Sequence, residues 1–137
     1  MLKPKFHHMA IVLDNVEEKT AWYCKIYAAE RLGPVFIDKN QRVKAQFIQA
    51  GDIMIELLEP IGSDSPVSSI LNKYGSGRIY HIAFEVDDLN QAEREVRSRG
   101  GIVISRTKDG WQGMEVLFAV YFIDKGEEQI VEYVKRR

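Results

Sequence analysis

The sequence predicts an α+β fold of two βαβββ modules, and two internal repeats are the observations that predict it. The first repeat sets His8-Met9-Ala10-Ile11-Val12-Leu13-Asp14 against His81-Ile82-Ala83-Phe84-Glu85-Val86-Asp87. Each copy is a histidine on an apolar run that ends in an acidic, helix-capping step. The second repeat sets Ile53-Met54-Ile55-Glu56-Leu57-Leu58 against Gln129-Ile130-Val131-Glu132-Tyr133-Val134. The histidines lie 73 residues apart and the glutamates 76, so both pairs keep nearly one spacing.

Each element follows from local pattern. Residues 6–13 alternate as a strand that puts His8, Ala10 and Val12 on one face. Asp14-Asn15 then caps a helix to about residue 29, with Trp22, Ile26 and Ala29 as its apolar spacing and Gly33-Pro34 as the break that follows. Val35-Phe36-Ile37 reads as a short strand and Asp38-Lys39-Asn40-Gln41 as a polar turn. Residues 43–49 alternate Val43, Ala45, Phe47 against Lys44, Gln46, Ile48. Ala50-Gly51-Asp52 closes a hairpin into residues 53–59, where Met54, Glu56 and Leu58 share a face and Pro60 ends the strand.

Ser65-Pro66 predicts the start of a connecting helix, with Ser at the cap and Pro at the first helical position, carrying Val67, Ile70 and Leu71 and ending near Gly75. The order then repeats. A strand covers 79–86, Asp87-Asp88 caps a helix over 89–99 with Leu89, Ala92 and Val96 buried, and Gly100-Gly101 stops it. Strands over 102–105, 114–123 and 128–134 complete the second half, with a loop over 106–113. The predicted organisation is one domain over 1–137: a first module at about 5–60, a linker helix at about 64–75 and a second module at about 78–135.

Bulk properties bound the function. The chain has 137 residues, 45% hydrophobic and 28% charged, as a globular protein does. Its 19 basic and 20 acidic residues leave a net charge of −1, which favours neither nucleic acid nor an anionic membrane. The basic tail Lys135-Arg136-Arg137 is too short to change that. A single cysteine, Cys24, and no leader or membrane-length apolar run point to a cytoplasmic protein.

A lone strand histidine is ordinarily structural, and a strand glutamate ordinarily faces solvent. Recurrence of both in matched positions is a different matter. Related by a pseudo-two-fold, the halves would gather His8, Glu56, His81 and Glu132 around one axis. Two imidazole nitrogens and two carboxylates suit Zn²⁺, Co²⁺, Ni²⁺, Mn²⁺ or Fe²⁺, and a six-coordinate metal keeps two adjacent positions for water or a bidentate substrate. Glu56 and Glu132 each stand between apolar neighbours, and a carboxylate there needs a partner such as a metal. His7 competes with His8 but has the wrong strand parity, and its counterpart is Tyr80; both read as packing or surface residues.

The layout resembles the vicinal oxygen chelate superfamily of glyoxalases, extradiol dioxygenases and antibiotic-resistance proteins. Within it the likeness is to the methylmalonyl-CoA epimerase branch. It is carried by His8-Met9-Ala10-Ile11, Ile55-Glu56-Leu57-Leu58-Glu59-Pro60, Asp64-Ser65-Pro66-Val67, His81 through Asp88, and Val131-Glu132. The resemblance implies modules pairing into a curved mixed sheet around a central metal site, with His8, Glu56, His81 and Glu132 as ligands. It further implies enolisation of a carbonyl substrate, such as a methylmalonyl-CoA-like thioester, with Glu132 as one acid/base.

Two departures stand out. The strand over 43–49 offers Lys44, Gln46 and Gln49 where a second acid would be expected. Trp111-Gln112-Gly113 and Phe122-Ile123-Asp124-Lys125-Gly126 replace the Gly-rich segment with its His-Pro-Lys turn, so that Trp111 and Tyr121 become candidate pocket residues. The alternatives are a lactoylglutathione lyase of the glyoxalase I type and a non-catalytic, drug-sequestering binding protein. An extradiol dioxygenase fits less well, because that chemistry uses two His and one carboxylate. The partners implied are a small-molecule carbonyl or acyl-CoA substrate and, by analogy, a second copy in a homodimer.

Overall fold

A computed structural model describes residues 2–124 and 126–136; Lys125 and Arg137 of the sequence reading lie outside the described residues. The first module comprises β1 (Lys5–Val12), α1 (Val16–Tyr27), β2 (Glu30–Asp38), β3 (Val43–Ala50) and β4 (Ile53–Pro60). After α2 (Ser68–Tyr74), the second comprises β5 (Arg78–Glu85), α3 (Leu89–Ser98), β6 (Ile102–Thr107), β7 (Glu115–Asp124) and β8 (Glu127–Lys135). The expected α+β class and both βαβββ orders are present. The chain divides into two compact units, His8–Tyr80 and Met1–His7 with His81–Arg137.

In the first unit the strands run in the order β2-β3-β4-β1, with β1 parallel to β4 and the other pairs antiparallel. Strand alternation sorts the side chains. Ile11, Leu13, Ile48, Ile55 and Leu57 pack with Val16 and Tyr23 of the α1 segment. The opposite face carries Ala10, Val12, Val43, Ala45 and Leu58, covered by Val67 and by Ile70 and Leu71 of α2. Asn15 caps α1 through a 3.0 Å bond accepted from the Glu18 amide, and Glu59 Oε1 accepts from the Val16 amide at 2.9 Å.

The second unit repeats this in the order β5-β8-β7-β6, with β5 parallel to β8. Leu89, Ala92 and Val96 of α3 pack on Val86, Leu117, Ala119 and Tyr133. Asp88 caps α3 by accepting from the amides of Asn90 and Gln91. Each cap lies seven residues after its histidine, Asn15 after His8 and Asp88 after His81. The Leu13 amide donates to Leu58 O just as Val86 donates to Val134 O. The duplication therefore extends to individual backbone hydrogen bonds.

Three local expectations are corrected. The buried stripe of α1 is Val16, Thr20 and Tyr23, while Trp22 and Ile26 are exposed and Ala29 lies beyond the helix. Thr20 is tolerated inside because its hydroxyl donates to Val16 O at 2.6 Å, and apolar spacing alone cannot signal that. Gly33-Pro34 does not end structure: β2 runs through it, with a register shift between Leu32 and Phe36 and Gly33 at φ +74°. Ser65-Pro66 forms a turn rather than the start of a helix, and α2 begins at Ser68. The Ser65 hydroxyl is engaged by Gln41 O, to which it donates at 2.9 Å.

Candidate metal centre

In the first unit, strand register brings Ala10, Glu56 and Phe47 into line: Ala10 pairs with Glu56 across β1–β4, and Phe47 pairs with Glu56 across β3–β4. Opposed residues share a face, so all three point away from α1. His8, two residues before Ala10, shares that face. Its Nε2 lies 3.3 Å from Glu56 Oε1, and its ring meets Phe47 edge-on, with centroids 5.2 Å apart. Both members of the pair are buried, His8 at 2% exposure and Glu56 at 4%.

The second unit holds the same arrangement. Ala83 pairs with Glu132 across β5–β8, and Phe118 pairs with Glu132 across β7–β8. His81 Nε2 lies 3.6 Å from Glu132 Oε2, and the His81 ring meets Phe118 at a centroid distance of 5.2 Å. His81 and Glu132 are buried as well. Two separate stretches of sequence thus fold into one motif: small Ala, buried His and Glu, and a Phe ring steadying the imidazole.

The geometry of each pair fits a divalent metal. Two ligand atoms bound at about 2.1 Å and subtending about 90–120° at the metal stand roughly 3.0–3.6 Å apart. Both His–Glu separations fall in that range. A direct charge-assisted hydrogen bond would draw them closer, to about 2.7–2.9 Å. A carboxylate taken out of water needs compensation, and imidazole plus carboxylate is a donor set that a borderline cation satisfies.

The other residues singled out by sequence divide clearly. His7 is buried too, one position off His8 in strand parity. Tyr121 does not share a face with Glu132. It lies on the α3 side, its hydroxyl 2.9 Å from that of Tyr133, so it is a packing residue. Burial raises the Tyr133 phenol above its ordinary range, and the bond to Tyr121 raises it further. Trp111, in a 3₁₀ turn at Trp111–Gly113, packs against Met114, Val116, Phe118 and Val134, the cluster that holds the ring beside His81.

Sequence reasoning missed Phe47 and Phe118 as supports of the two imidazoles. Their positions opposite Glu56 and Glu132 needed the hairpin register, which a single sequence does not print. It also missed the work of Gln46, which is buried and donates to Gly33 O at 2.9 Å, securing the irregular segment of β2.

Two copies of one module, each burying a His–Glu pair on the face away from its helix, define a duplicated-module protein. The profile of the glyoxalase/bleomycin resistance protein/dioxygenase superfamily matches residues 7–118, and the chain belongs to this superfamily. It is 31% identical over 115 residues to the mitochondrial methylmalonyl-CoA epimerase of Bos taurus, covering 83% of this chain and 65% of that protein. The chain therefore spans slightly less than two thirds of that relative's length. An ethylmalonyl-CoA/methylmalonyl-CoA epimerase of Cereibacter sphaeroides is 33% identical, over 83% of this chain and 86% of that protein. The crystal structure of methylmalonyl-CoA epimerase from Mycobacterium tuberculosis superposes with a TM-score of 0.83 at 21% identity, over 96% of this chain and 87% of that one. It shares the fold.

Proposed function

We propose that the chain is a metal-dependent epimerase that enolises a methylmalonyl-CoA-like thioester. The observation that carries this reading is the buried His–Glu pair repeated in both modules, in a chain whose relatives are named for that reaction. On this reading the modules act as a single domain, and His8, Glu56, His81 and Glu132 together hold one divalent ion, whether Co, Zn, Ni, Mn or Fe. Bound there, the metal would supply a Lewis acid toward the thioester carbonyl oxygen.

The chain's own residues do the rest. The Glu132 carboxylate takes the proton from C2, and the C–H electron pair moves onto the carbonyl oxygen. Epimerisation then needs a proton delivered to the opposite face of C2. The first module's face carries Phe47 and Gln49 on β3, neither of which delivers a proton, with His8 on β1 and Glu56 on β4. Glu56, the counterpart of Glu132 by the internal repeat, is the donor. Over one turnover Glu132 gains a proton and Glu56 gives one, so the protons balance and the two roles are exchanged for the reverse direction.

A cytoplasmic location, with Cys24 kept reduced, and a homodimer belong to the same proposal. Proton NMR of methylmalonyl-CoA in D₂O with Co²⁺-loaded protein tests it. Exchange of the C2 proton that disappears in Glu132→Gln, for the epimer that Glu132 deprotonates, is the expected result. Metal uptake without exchange would overturn the CoA reading and turn attention to methylglyoxal with a thiol.

A further inference from the structure

The internal repeat supplies its own control, because matched rows of the two modules can be compared position by position. His8 matches His81, Ala10 matches Ala83, Glu56 matches Glu132 and Phe47 matches Phe118. One row further along the ladder the modules part. Gln49 pairs with Met54 in the first, where Val120 pairs with Ile130 in the second. The strand evidently accepts Val at this position, so an amide in the first module is not required by the fold. Gln49 shares the face of Phe47 and Glu56, in the row level with His8.

The side chain is also held and half-buried. Gln49 Nε2 donates to Gly51 O at 2.9 Å, which fixes the direction of the amide. That bond uses one of two N–H groups; among the described residues no partner takes the other or Oε1. A half-buried amide with spare hydrogen-bonding capacity, on the face that carries the His–Glu pair, suits a polar group of a ligand. Resting on the epimerase reading, we propose that Gln49 binds the free carboxylate of the acyl group and fixes which way round the substrate lies. The apolar Val120–Ile130 counterpart offers a carboxylate nothing.

The test compares two CoA thioesters, of which only one has a free carboxylate. Metal-loaded protein is titrated calorimetrically with malonyl-CoA and with propionyl-CoA. Wild type is expected to prefer malonyl-CoA. Gln49→Val, which copies the second module, is expected to weaken malonyl-CoA by about tenfold and leave propionyl-CoA unchanged, the size of a lost hydrogen bond to a charged group. Gln49→Glu, which keeps the shape and repels the carboxylate, is expected to weaken malonyl-CoA further. Thermal midpoints near wild type would show both variants folded. An unchanged preference in both variants overturns the assignment and leaves Gln49 as a hairpin residue only. Wild type that binds neither thioester overturns the acyl-CoA reading itself, and the assignment with it, before any substitution is made.

Discussion

The His8 imidazole stands edge-on to the Phe47 ring, 5.2 Å between centroids and 88° between planes. Phe36 stacks on the other side of the relationship, its ring 6.0 Å from Phe47 and nearly parallel to it. The imidazole is thereby held by packing, independently of any hydrogen bond its nitrogens make. On the proposed metal reading, an imidazole held this way would lose little freedom on binding a cation.

Phe47→Leu tests that support. The substitution keeps an apolar side chain opposite Glu56 but removes the ring edge. It is expected to cost about 1–2 kcal/mol in urea unfolding, within the range for buried large-to-small changes. Affinity for Co²⁺, followed by titration, should fall about tenfold, the usual effect of losing a group that orients a ligand. An affinity equal to wild type would mean that strand geometry alone positions His8.

Metal binding should be visible as stability. A cation present at about 100 times its dissociation constant stabilises the folded chain by roughly 2.7 kcal/mol. For a chain of 137 residues that corresponds to a rise of about 9 °C in melting temperature. Adding Co²⁺ to chelator-treated protein should produce such a rise, and His8→Ala should abolish most of it. Equal shifts in both proteins would place the ion elsewhere.

Separating the two glutamates tests the mechanism. Gln at position 56 still offers an oxygen to a metal but delivers no proton. Glu56→Gln is therefore expected to retain exchange of the C2 proton in D₂O while losing interconversion of the two epimers. Glu132→Gln is expected to lose both when the epimer acted on is the one it deprotonates. Full epimerase activity in Glu56→Gln would remove Glu56 from the proton path.

What the sequence made legible was whatever repeats. The pairing of His8 with Glu56, and of His81 with Glu132, on one strand face was readable because strand parity and apolar neighbours are local, and because the pattern occurs twice. What it hid depends on contacts between distant residues. Thr20 inside α1 is permitted by its bond to Val16 O, Gly33-Pro34 is held within β2 by Gln46, and Ser65 serves Gln41 O rather than a helix end. The aromatic supports were invisible for the same reason: Phe47 and Phe118 acquire their role only once β3–β4 and β7–β8 are in register.

Glu59 offers the counter-test, because it lies three residues after Glu56 in the same strand and so faces the other way. Its Oε1 accepts from the Val16 amide at 2.9 Å, on the α1 side of the sheet. It satisfies an amide in the first turn of α1, next to the Asn15 cap, and places negative charge at the positive end of the helix dipole. Lys44 stands 4.0 Å from its other oxygen, a contact too long and too open to water to add much. Glu59→Ala is expected to cost about 1 kcal/mol in urea unfolding, the typical loss of a capping interaction. Glu59→Gln should recover part of it, since an amide oxygen still accepts the bond. Neither change should alter Co²⁺ affinity or C2 exchange. A loss of metal affinity in Glu59→Gln would mean that the two faces of β4 are not independent, and that the position of Glu56 is set from the α1 side of the sheet.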